Sequence, residues 1–377
     1  MKVVVVSGIW PPDPGGPASH APALADFLHG RGEGVEVVTT ADEPPPARPY
    51  PVRWTPRSRP PGLRHLHGAL LVARAARGAD VVYATSMVRR AALGAALARR
   101  PLVVKLVSDE VFERARRSGR FPGTLDAFQR VRGGPRERFL RATRNAALRR
   151  ARHVLCPSAY LRDVALGWGI PAGRMSVLPN PAPSLPELAP REELRAELGL
   201  DGTVLAFAGR LSLQKALGVA LEALAAVPGV TLAVAGDGPE RTRLELQARA
   251  LGVDGRVRFL GALPREGVLR LFRAADASLL SSLWENFPHT VVESLAVGTP
   301  VVASAVGGVS EVVHDGENGL LVPPGDVQAL AAALRRLHGD AALRARLAAA
   351  AAASVAGMSE EAVFACIEQE LRRVAGR

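Results

Sequence analysis

Short apolar runs alternate with longer segments of helical period along almost the whole chain, and this pattern constrains the fold most. Parallel strands need a crossover connection, usually a helix, so the alternation is typical of parallel α/β sheets. It predicts one such sheet in each half. The predicted strands are 2–7, 35–40, 80–85, 101–107, 153–157 and 175–178, then 203–208, 230–235, 257–260, 277–281, 300–304 and 319–322.

Two proline-rich stretches interrupt this pattern. Residues 181–190, PAPSLPELAP, separate the two halves and predict a linker. Residues 44–61 carry eight prolines. Because proline has no N–H to donate to a ladder or a helix, we expect this second stretch to be a surface excursion, either functional or idle.

The composition is globular, with 48% hydrophobic and 22% charged residues among 377, which is enough chain for two domains. No window approaches ~18 consecutive apolar residues without charge, so no membrane-spanning helix is expected. The apolar start is short and breaks at Gly8, unlike a signal peptide. The two cysteines, Cys156 and Cys366, are far apart in sequence. We therefore expect a cytoplasmic protein with free thiols and no cysteine-based metal site.

Positive charge is concentrated in the first half. Residues 1–185 contain 29 Lys and Arg against 13 Asp and Glu, whereas the remainder contains 19 against 23. Residues 114–152 alone contain thirteen arginines and two acidic residues. Such a face can contact anionic lipid, a nucleic acid or a phosphate-bearing substrate. Drift in an arginine-rich composition explains it equally well.

The turn after the first predicted strand, WPPDPGGPASH at 10–20, is rich in Gly and Pro. Ser19 is suited to cap a helix that begins near His20, and the glycine pair Gly15 and Gly16 leaves the backbone open to a phosphate. The turn lacks the spacing G-x-G-x-x-G. This argues against a dinucleotide-binding oxidoreductase.

Two segments of the second half place candidate ligand-binding groups just after predicted strands. In AGRLSLQK, Arg210 follows the strand and Lys215 stands at the start of a helix. Two cations in this position can hold a diphosphate, although solvated side chains give the same pattern. In AGDGPER, Gly236 allows the backbone to approach a ligand, and a plain tight turn explains it as well.

A third segment, SSLWENFPHTVVESLAVGTPVVAS at 281–304, is the most informative. Pro288 suits the first turn of a helix, which we expect to run from about Pro288 to Val297. Glu285 then precedes the helix and Glu293 lies in its second turn. Carboxylates accept hydrogen bonds from the vicinal hydroxyls of a ribose or a hexose, so the pair suits an extended ligand. Exposed glutamates without a ligand would look the same in isolation.

These motifs, in this order, resemble family 4 of the retaining glycosyltransferases. The resemblance rests on G-R-x4-K, G-D-G-P, E-N-F-P-x3-V-E-S-L-A-x-G-T-P-V-V, the glycines at 307–308 with Glu311, and NGLLVPPGD at 318–326. That family carries two glutamates with seven residues between them, which is the spacing of Glu285 and Glu293. Segments 30–38 and 153–181 extend the resemblance into the first half, and it identifies a family rather than a substrate.

The resemblance implies an α/β fold of the GT-B class, in which two Rossmann-like domains face a cleft and the C-terminal helix crosses back to the first domain. The implied domains are 1–183 on the acceptor side, 184–358 for the nucleotide sugar, and the helix 359–377. The implied enzyme is a retaining hexosyltransferase that moves a sugar to a hydroxyl acceptor, which is a glycan, a lipid-linked or phosphorylated molecule, or another small molecule. UDP-sugars are the favoured donors and GDP-sugars come second, with no cofactor.

Carried over by position, the resemblance also implies roles for single residues. Arg210 and Lys215 would hold the diphosphate, Glu293 the ribose hydroxyls, and the backbone near Leu263 the base. Glu285 would hold the donor sugar, and Gly16 would form a wall of the cleft. The remaining donor-binding candidates are Gly236, Asn286, Phe287, Pro288, His289 and Thr290. No Asp-x-Asp pair follows a strand. We therefore expect Arg210 and Lys215 to serve in place of a metal.

On the acceptor side, KLVSDEVFERARR at 105–117 resembles a K-x3-D-x3-E block of part of the family. Glu285, Arg210 and Lys215 are the catalytic candidates of the second half. Asp109 is a fourth, for orienting the acceptor hydroxyl or a donor sugar hydroxyl, with Lys105 and Glu113 in support. A structural salt bridge among these three is the alternative. Asp13 and His20 are further acceptor-side candidates.

Other functions stay open at this point. An epimerase of the same architecture would need acid and base groups around the donor, and a catalytically silent homologue would only bind it. A basic nucleic-acid-binding protein would use the arginines, but only 5% of the residues are aromatic and none form a stacking platform. Peripheral contact with an anionic membrane through 114–152 is compatible with the transferase.

Overall fold

The computed structural model describes residues 1–13 and 16–377, with the side chains of 16–19 and Pro61 left out of the description. The chain forms two compact units, Met1–Pro179 together with Glu361–Arg377, and Asn180–Glu360. Each unit contains one sheet whose described strand pairs are all parallel. The predicted α/β class, with one parallel sheet in each half, is confirmed.

The first unit contains a sheet with the strand order β3-β2-β1-β4-β5-β6-β7. Its strands are β1 Lys2–Val6, β2 Gly34–Ala41, β3 Val52–Pro56, β4 Val81–Ala84, β5 Leu102–Lys105, β6 His153–Cys156 and β7 Met175–Val177. Its helices are α1 Gly16–Gly30, α2 Pro61–Ala76, α3 Val88–Leu97, α4 Glu110–Arg117, α5 Leu125–Arg130, α6 Pro135–Arg150 and α7 Ala159–Leu166.

The second unit contains a sheet with the order β10-β9-β8-β11-β12-β13. Its strands are β8 Thr203–Ala208, β9 Val230–Ala235, β10 Val257–Gly261, β11 Ala277–Leu280, β12 Val301–Ser304 and β13 Gly319–Val322. Its helices are α8 Arg191–Leu198, α9 Leu217–Ala225, α10 Arg241–Ala250, α11 Arg265–Ala274, α12 His289–Ala296, α13 Val327–Gly339 and α14 Ala341–Ser354.

Side chains of the central strand β8 enter two different hydrophobic clusters. Leu205 and Phe207 pack in one cluster, whereas Val204, Ala206 and Ala208 pack in the other. Successive side chains of a strand point to opposite faces, so helices cover both faces of this sheet. This is why the strand is apolar at every position from Val204 to Ala208 and does not alternate with polar residues.

The last helix, α15 Glu360–Ala375, packs on the first unit. Its buried residues Val363, Phe364, Ile367 and Leu371 join the cluster formed by β1 and α1. The helix is also joined to this unit by ion pairs, including Arg31 Nε to Glu368 Oε2 at 2.8 Å. The apolar stripe at a spacing of three and four residues therefore has a defined partner.

One helical stretch, Ala341–Ala375, has the length and apolar composition of a membrane span. A single stretch of this kind is weak evidence for a span, because buried helices of globular proteins meet the same criteria. Here a 3₁₀ turn, Ala356–Met358, separates α14 from α15.

Two sequence predictions were wrong in detail. The proline-rich stretch 44–61 contains a strand, β3, which pairs in parallel with β2 from Val37↔Val52 to Ala41↔Pro56. β3 lies at the edge of the sheet and pairs on one side only, so prolines are tolerated at its ends. The helix predicted to begin near His20 begins at Gly16, and the side chain of its predicted cap, Ser19, lies outside the description.

The strand order places the loops from which a site can be built. It reverses between β1 and β4 in the first unit, and between β8 and β11 in the second. In doubly wound sheets, ligands bind beyond the carboxyl ends of the strands at such reversal points. A ligand site is therefore expected in the loops after these four strands.

Candidate functional site

The loops that follow β8 and β11 contact each other along several residues. The backbone N–H of Leu283 donates to the Gln214 carbonyl at 2.9 Å, and the Gln214 side-chain amide donates to the Trp284 carbonyl at 2.8 Å. The Ser281 hydroxyl donates to the carbonyl of Lys215 at 2.8 Å. Two loops far apart in sequence thus form one surface at the reversal point of the sheet.

Lys215 and Glu285 form an ion pair at this surface, with Nζ 2.5 Å from Oε1. Glu285 is only 7% exposed, and its carboxylate also accepts a hydrogen bond from the Ser282 hydroxyl at 2.7 Å. A buried carboxylate is stable only when it is paired and hydrogen-bonded, and these two donors meet that need. The ammonium of Lys215 has three donors, of which this contact uses one.

Arg210 lies in the same loop but is differently placed. It is exposed, and among the residues that the structure describes its guanidinium has no ion-pair partner. A guanidinium presents a planar fork that matches phosphate oxygens. The side chain is therefore available to a ligand on this surface.

Gly236 is explained by its neighbours in the fold. It has φ +146°, and a Cβ added there would overlap the carbonyl oxygen of Gly209. The two loops are joined by hydrogen bonds from Gly209 N to Ala235 O at 3.0 Å and from Leu211 N to Asp237 O at 2.9 Å. The glycine permits this close approach of two backbones, which holds the loop carrying Arg210.

Glu293 lies on α12, whose first residue is His289. Its carboxylate is 3.5 Å from Nε of Arg265, the first residue of α11. Burial raises the pKa of the Glu293 carboxyl, and the positive charge of Arg265 partly offsets this rise. Leu263, whose backbone is the predicted base contact, lies two residues before Arg265. The arginine that contacts Glu293 is therefore close in sequence to the predicted base-binding backbone.

The residues around the start of α12 differ in exposure. Phe287 and Pro288 are buried, Asn286 and Thr290 are half-buried, and His289 is exposed. The His289 ring nitrogen Nε2 lies 3.1 Å from the side-chain amide of Asn180. The first turn of a helix presents N–H groups without intrahelical acceptors, which favour anionic ligands.

In the first unit, Asp109 is fully buried and caps α4. One carboxylate oxygen accepts from the N–H groups of Val111 and Phe112 and from the buried Arg144 guanidinium. The other accepts from the Gln129 amide at 3.1 Å. The salt bridge of Asp109 is therefore with Arg144 rather than with Lys105. Its catalytic role stays a prediction, and both oxygens already have protein donors.

Lys105, at the end of β5, is 1% exposed. Its ammonium donates to the carbonyl of Leu178 and to that of Pro179 at 3.3 Å, the last residues of this unit before the chain enters the other. Burial lowers the pKa of Lys105 to about 7. Burial raises the pKa of the Cys156 thiol to about 12, against the opposing effect of the Lys105 charge, and both cysteines are free.

The other first-unit candidates lie on α1, on α4 and in the loop before α1. The Arg57 guanidinium pairs with the Asp13 carboxylate and lowers its pKa. His20 lies within α1, with Nε2 3.3 Å from the Tyr83 hydroxyl. Glu113 is half-buried in the first turn of α4. Gly16 is the first residue of α1, whereas Gly15 lies outside the described residues.

Sequence profiles of two families match adjoining parts of the chain. The profile described as glycosyl transferases group 1 matches residues 190–354, and the one described as glycosyltransferase family 4 matches residues 14–183. Together they span both units. The chain belongs to the group 1 and family 4 glycosyltransferases.

Curated relatives of this glycosyltransferase match it over part of their length. The lipopolysaccharide core biosynthesis glycosyltransferase LpsE of Rhizobium meliloti is 40% identical over 148 residues, 39% of this chain and 43% of the relative. The D-inositol 3-phosphate glycosyltransferase of Mycobacterium avium is 42% identical over 182 residues, 46% of this chain and 42% of the relative. These matches therefore span less than half of the relatives' own length.

A solved structure matches the glycosyltransferase from end to end. HepE of Anabaena, in complex with UDP, superimposes with a TM-score of 0.79 at 26% identity and covers 99% of this chain and 100% of its own. The predicted GT-B fold class is thereby confirmed.

Several candidate residues predicted in the second half lie in loops that contact each other, but the sequence did not indicate all their partners. Lys215 and Glu285 were predicted as separate ligand contacts, and the structure joins them. Arg265 and Ser282 were missed, although the position of Arg265 at a helix start just after Leu263 was a usable signal. Within residues 1–13 and 16–377 no group of three or more His, Cys, Asp or Glu side chains is placed to hold a metal ion.

Lys105 gives a pH-dependent prediction. Its pKa of about 7 lies below the value of 10.5 expected in the unfolded chain, so between these values the unfolded chain binds more protons. The free energy of unfolding therefore rises with pH in this window. Relative to Lys105→Met, we expect the wild type to gain about 2 kcal/mol between pH 7 and pH 9. Urea unfolding at each pH measures this.

The free energy of unfolding is plotted against pH for the wild type and for Lys105→Met. Subtracting one plot from the other removes the contribution of every group that titrates alike in both proteins. A difference between wild type and Lys105→Met that stays constant from pH 7 to pH 9 would contradict the buried position of the amino group.

Proposed function

We propose that this glycosyltransferase moves a sugar from a nucleoside diphosphate sugar to a hydroxyl acceptor, with retention at the anomeric carbon and without a metal. The proposal rests mainly on one observation, the contact between Lys215 and the buried Glu285 at the reversal point of the second sheet. A cation and a carboxylate held together there suit a ligand that is anionic at one end and carries hydroxyls at the other.

The diphosphate is assigned to Arg210 and Lys215. Arg210 is exposed and offers a planar fork, and Lys215 keeps two donors beyond the one that Glu285 uses. The positive end of α12 adds to this field. These charges stabilise the leaving diphosphate more as its negative charge grows, which lowers the barrier rather than only tightening binding.

The hydroxyls are assigned to the two glutamates. Glu285 has one oxygen bound by Lys215 and Ser282, which leaves the other oxygen for a sugar hydroxyl. Glu293 is assigned to the ribose hydroxyls, and Arg265 orients its carboxylate. Uracil is favoured as the base, with guanine second. Support comes from HepE, which has been solved with UDP and with UDP-glucose.

Retention follows from the proposed order of bond changes. The bond between the anomeric carbon and the diphosphate oxygen breaks, and the acceptor oxygen bonds to the same face. Its proton passes to an oxygen of the leaving diphosphate. Glu285 is the nearest carboxylate in this scheme, and its contacts with Lys215 and Ser282 make it a poor nucleophile. Front-face attack therefore needs no covalent intermediate.

The acceptor is assigned to the first unit, and a lipid-linked or phosphorylated acceptor suits its charge. We place the protein in the cytoplasm, with peripheral contact to an anionic membrane. Residues 1–185 contain 29 basic and 13 acidic residues, and this excess of positive charge supports the contact.

The binding site can be tested with UDP alone. We expect Arg210→Ala and Glu293→Ala each to raise the Kd for UDP about 10- to 100-fold, because each removes a charge-assisted hydrogen bond. Isothermal titration calorimetry measures this. Arg249→Ala is the matched control, since Arg249 is exposed on α10 in the same unit and is expected to leave the Kd unchanged. Unchanged affinity in both site variants would remove the assignment.

The reaction can be tested with a panel of UDP- and GDP-sugars and hydroxyl acceptors. We expect NMR of the product to show the anomeric configuration of the donor, and EDTA to leave the rate unchanged because Arg210 and Lys215 supply the positive charge. An inverted product would contradict the mechanism. Conversion of the sugar with donor alone would point to an epimerase.

A further inference from the structure

Large apolar side chains are exposed on three neighbouring helices of the first unit. Their exposed fractions lie between 46% and 66%. They are Leu63, Leu66 and Leu70 on α2, Leu93 and Leu97 on α3, and Phe139 on α6. On α2 and α3 they are spaced by three or four residues, so they form stripes on the solvent side of each helix. Contiguous exposed apolar surface of this kind marks an interaction site.

The three helices form one continuous face. A Cβ added at Gly94 of α3 would lie 2.6 Å from Cβ of Val72 on α2, so the two helices are in close contact there. Arg89 Nη1 donates to the Thr143 hydroxyl at 3.0 Å, which joins α3 to α6. Between the helices lies a groove of about 600 Å³, lined by apolar side chains that include Leu66, Leu93 and Phe139.

The face is also strongly positive. The helices α2 and α3 together contain four arginines and no acidic residue, and one of the four, Arg89, pairs with Glu110 of α4. Arg89, Arg90 and Arg114 line the groove. Burial lowers the pKa of His65 in this groove, and the nearby arginines lower it further, which reports the positive potential.

Most of this surface lies outside the arginine-rich stretch 114–152. Several arginines of that stretch hold the fold instead. Arg144 is buried against Asp109, Arg141 donates to the carbonyls of Phe128 and Val131, and Arg149 donates to Trp168. Arg136 is exposed and shares the helix face of Phe139 and Thr143, by its spacing of three and seven residues.

We propose that the face of α2, α3 and the first half of α6 docks on an anionic lipid bilayer. Its leucines and Phe139 enter the interfacial region, and its arginines contact the lipid phosphates. The charge identifies the occupant, because stripes of leucine between arginines match acyl chains below anionic headgroups. The inference gives a location to the membrane contact of the proposed function and does not depend on the proposed chemistry.

Flotation with vesicles of phosphatidylcholine, with or without phosphatidylglycerol, tests this without nucleotide. We expect the wild type to float only with the anionic vesicles. Leu66→Gln combined with Leu93→Gln should weaken binding at least about tenfold, because apolar burial is lost. Arg114→Gln combined with Arg136→Gln should weaken it about 30-fold and reduce its salt dependence.

The matched control is Leu166→Gln combined with Leu246→Gln, two exposed leucines outside this face. It should bind like the wild type. All variants should keep the Kd of the wild type for UDP, which shows that they are folded and separates this test from that of the nucleotide site. Unchanged vesicle binding in the Leu66/Leu93 variant, or no binding by the wild type at low salt, would overturn the proposal.

A second readout reports insertion directly. In Phe139→Trp, a new tryptophan lies at an exposed position of the face. We expect anionic vesicles with brominated acyl chains to quench its fluorescence relative to the same vesicles without bromine. The fluorescence of the new tryptophan is the difference between Phe139→Trp and the wild type. If this difference is not quenched in vesicle-bound protein, the face does not insert and the proposal is overturned.

Discussion

The parallel sheet is the constraint on which the rest of the second unit depends. Because all its strands run in one direction, their carboxyl ends lie along one edge, and the reversal between β8 and β11 leaves the two following loops beside each other. The Lys215–Glu285 pair exists only through this arrangement, since the two residues are 70 positions apart in the chain. The close approach of the Gly209 and Gly236 backbones then holds the loop that carries Arg210.

The two cations of the candidate site differ in exposure and in their partners. A buried carboxylate fixes the lysine in place, while the arginine of the same loop stays exposed. Glu293 lies on α12 and contacts Arg265. In the first unit the acidic candidate Asp109 has a different environment, because N–H groups of α4 and the buried Arg144 take up one of its oxygens and the Gln129 amide takes up the other. Carboxylates of the two units thus differ in their partners, which are Lys215 for Glu285 and Arg144 for Asp109.

Features encoded locally could be predicted from the sequence. The strands with a continuous apolar run, the loops after them and the helix at 289–296 all follow from periodicity and from Gly and Pro positions. The edge strand β3 was missed because its stability comes from one neighbour and its prolines argue against a strand. Arg144 and Arg265 were missed as partners because they lie 35 and 28 residues from the carboxylates they contact, and only Arg265 had a local signal, its position just after Leu263.

The central claim is that the loops at the reversal point of the second sheet bind the nucleoside diphosphate. Hydrogen exchange followed by mass spectrometry, with and without saturating UDP, tests it most directly. We expect slower exchange of backbone amides in 209–216, 236–241 and 285–293, because these groups face or flank the bound diphosphate and ribose. Unchanged exchange in all three segments under saturating UDP would contradict it.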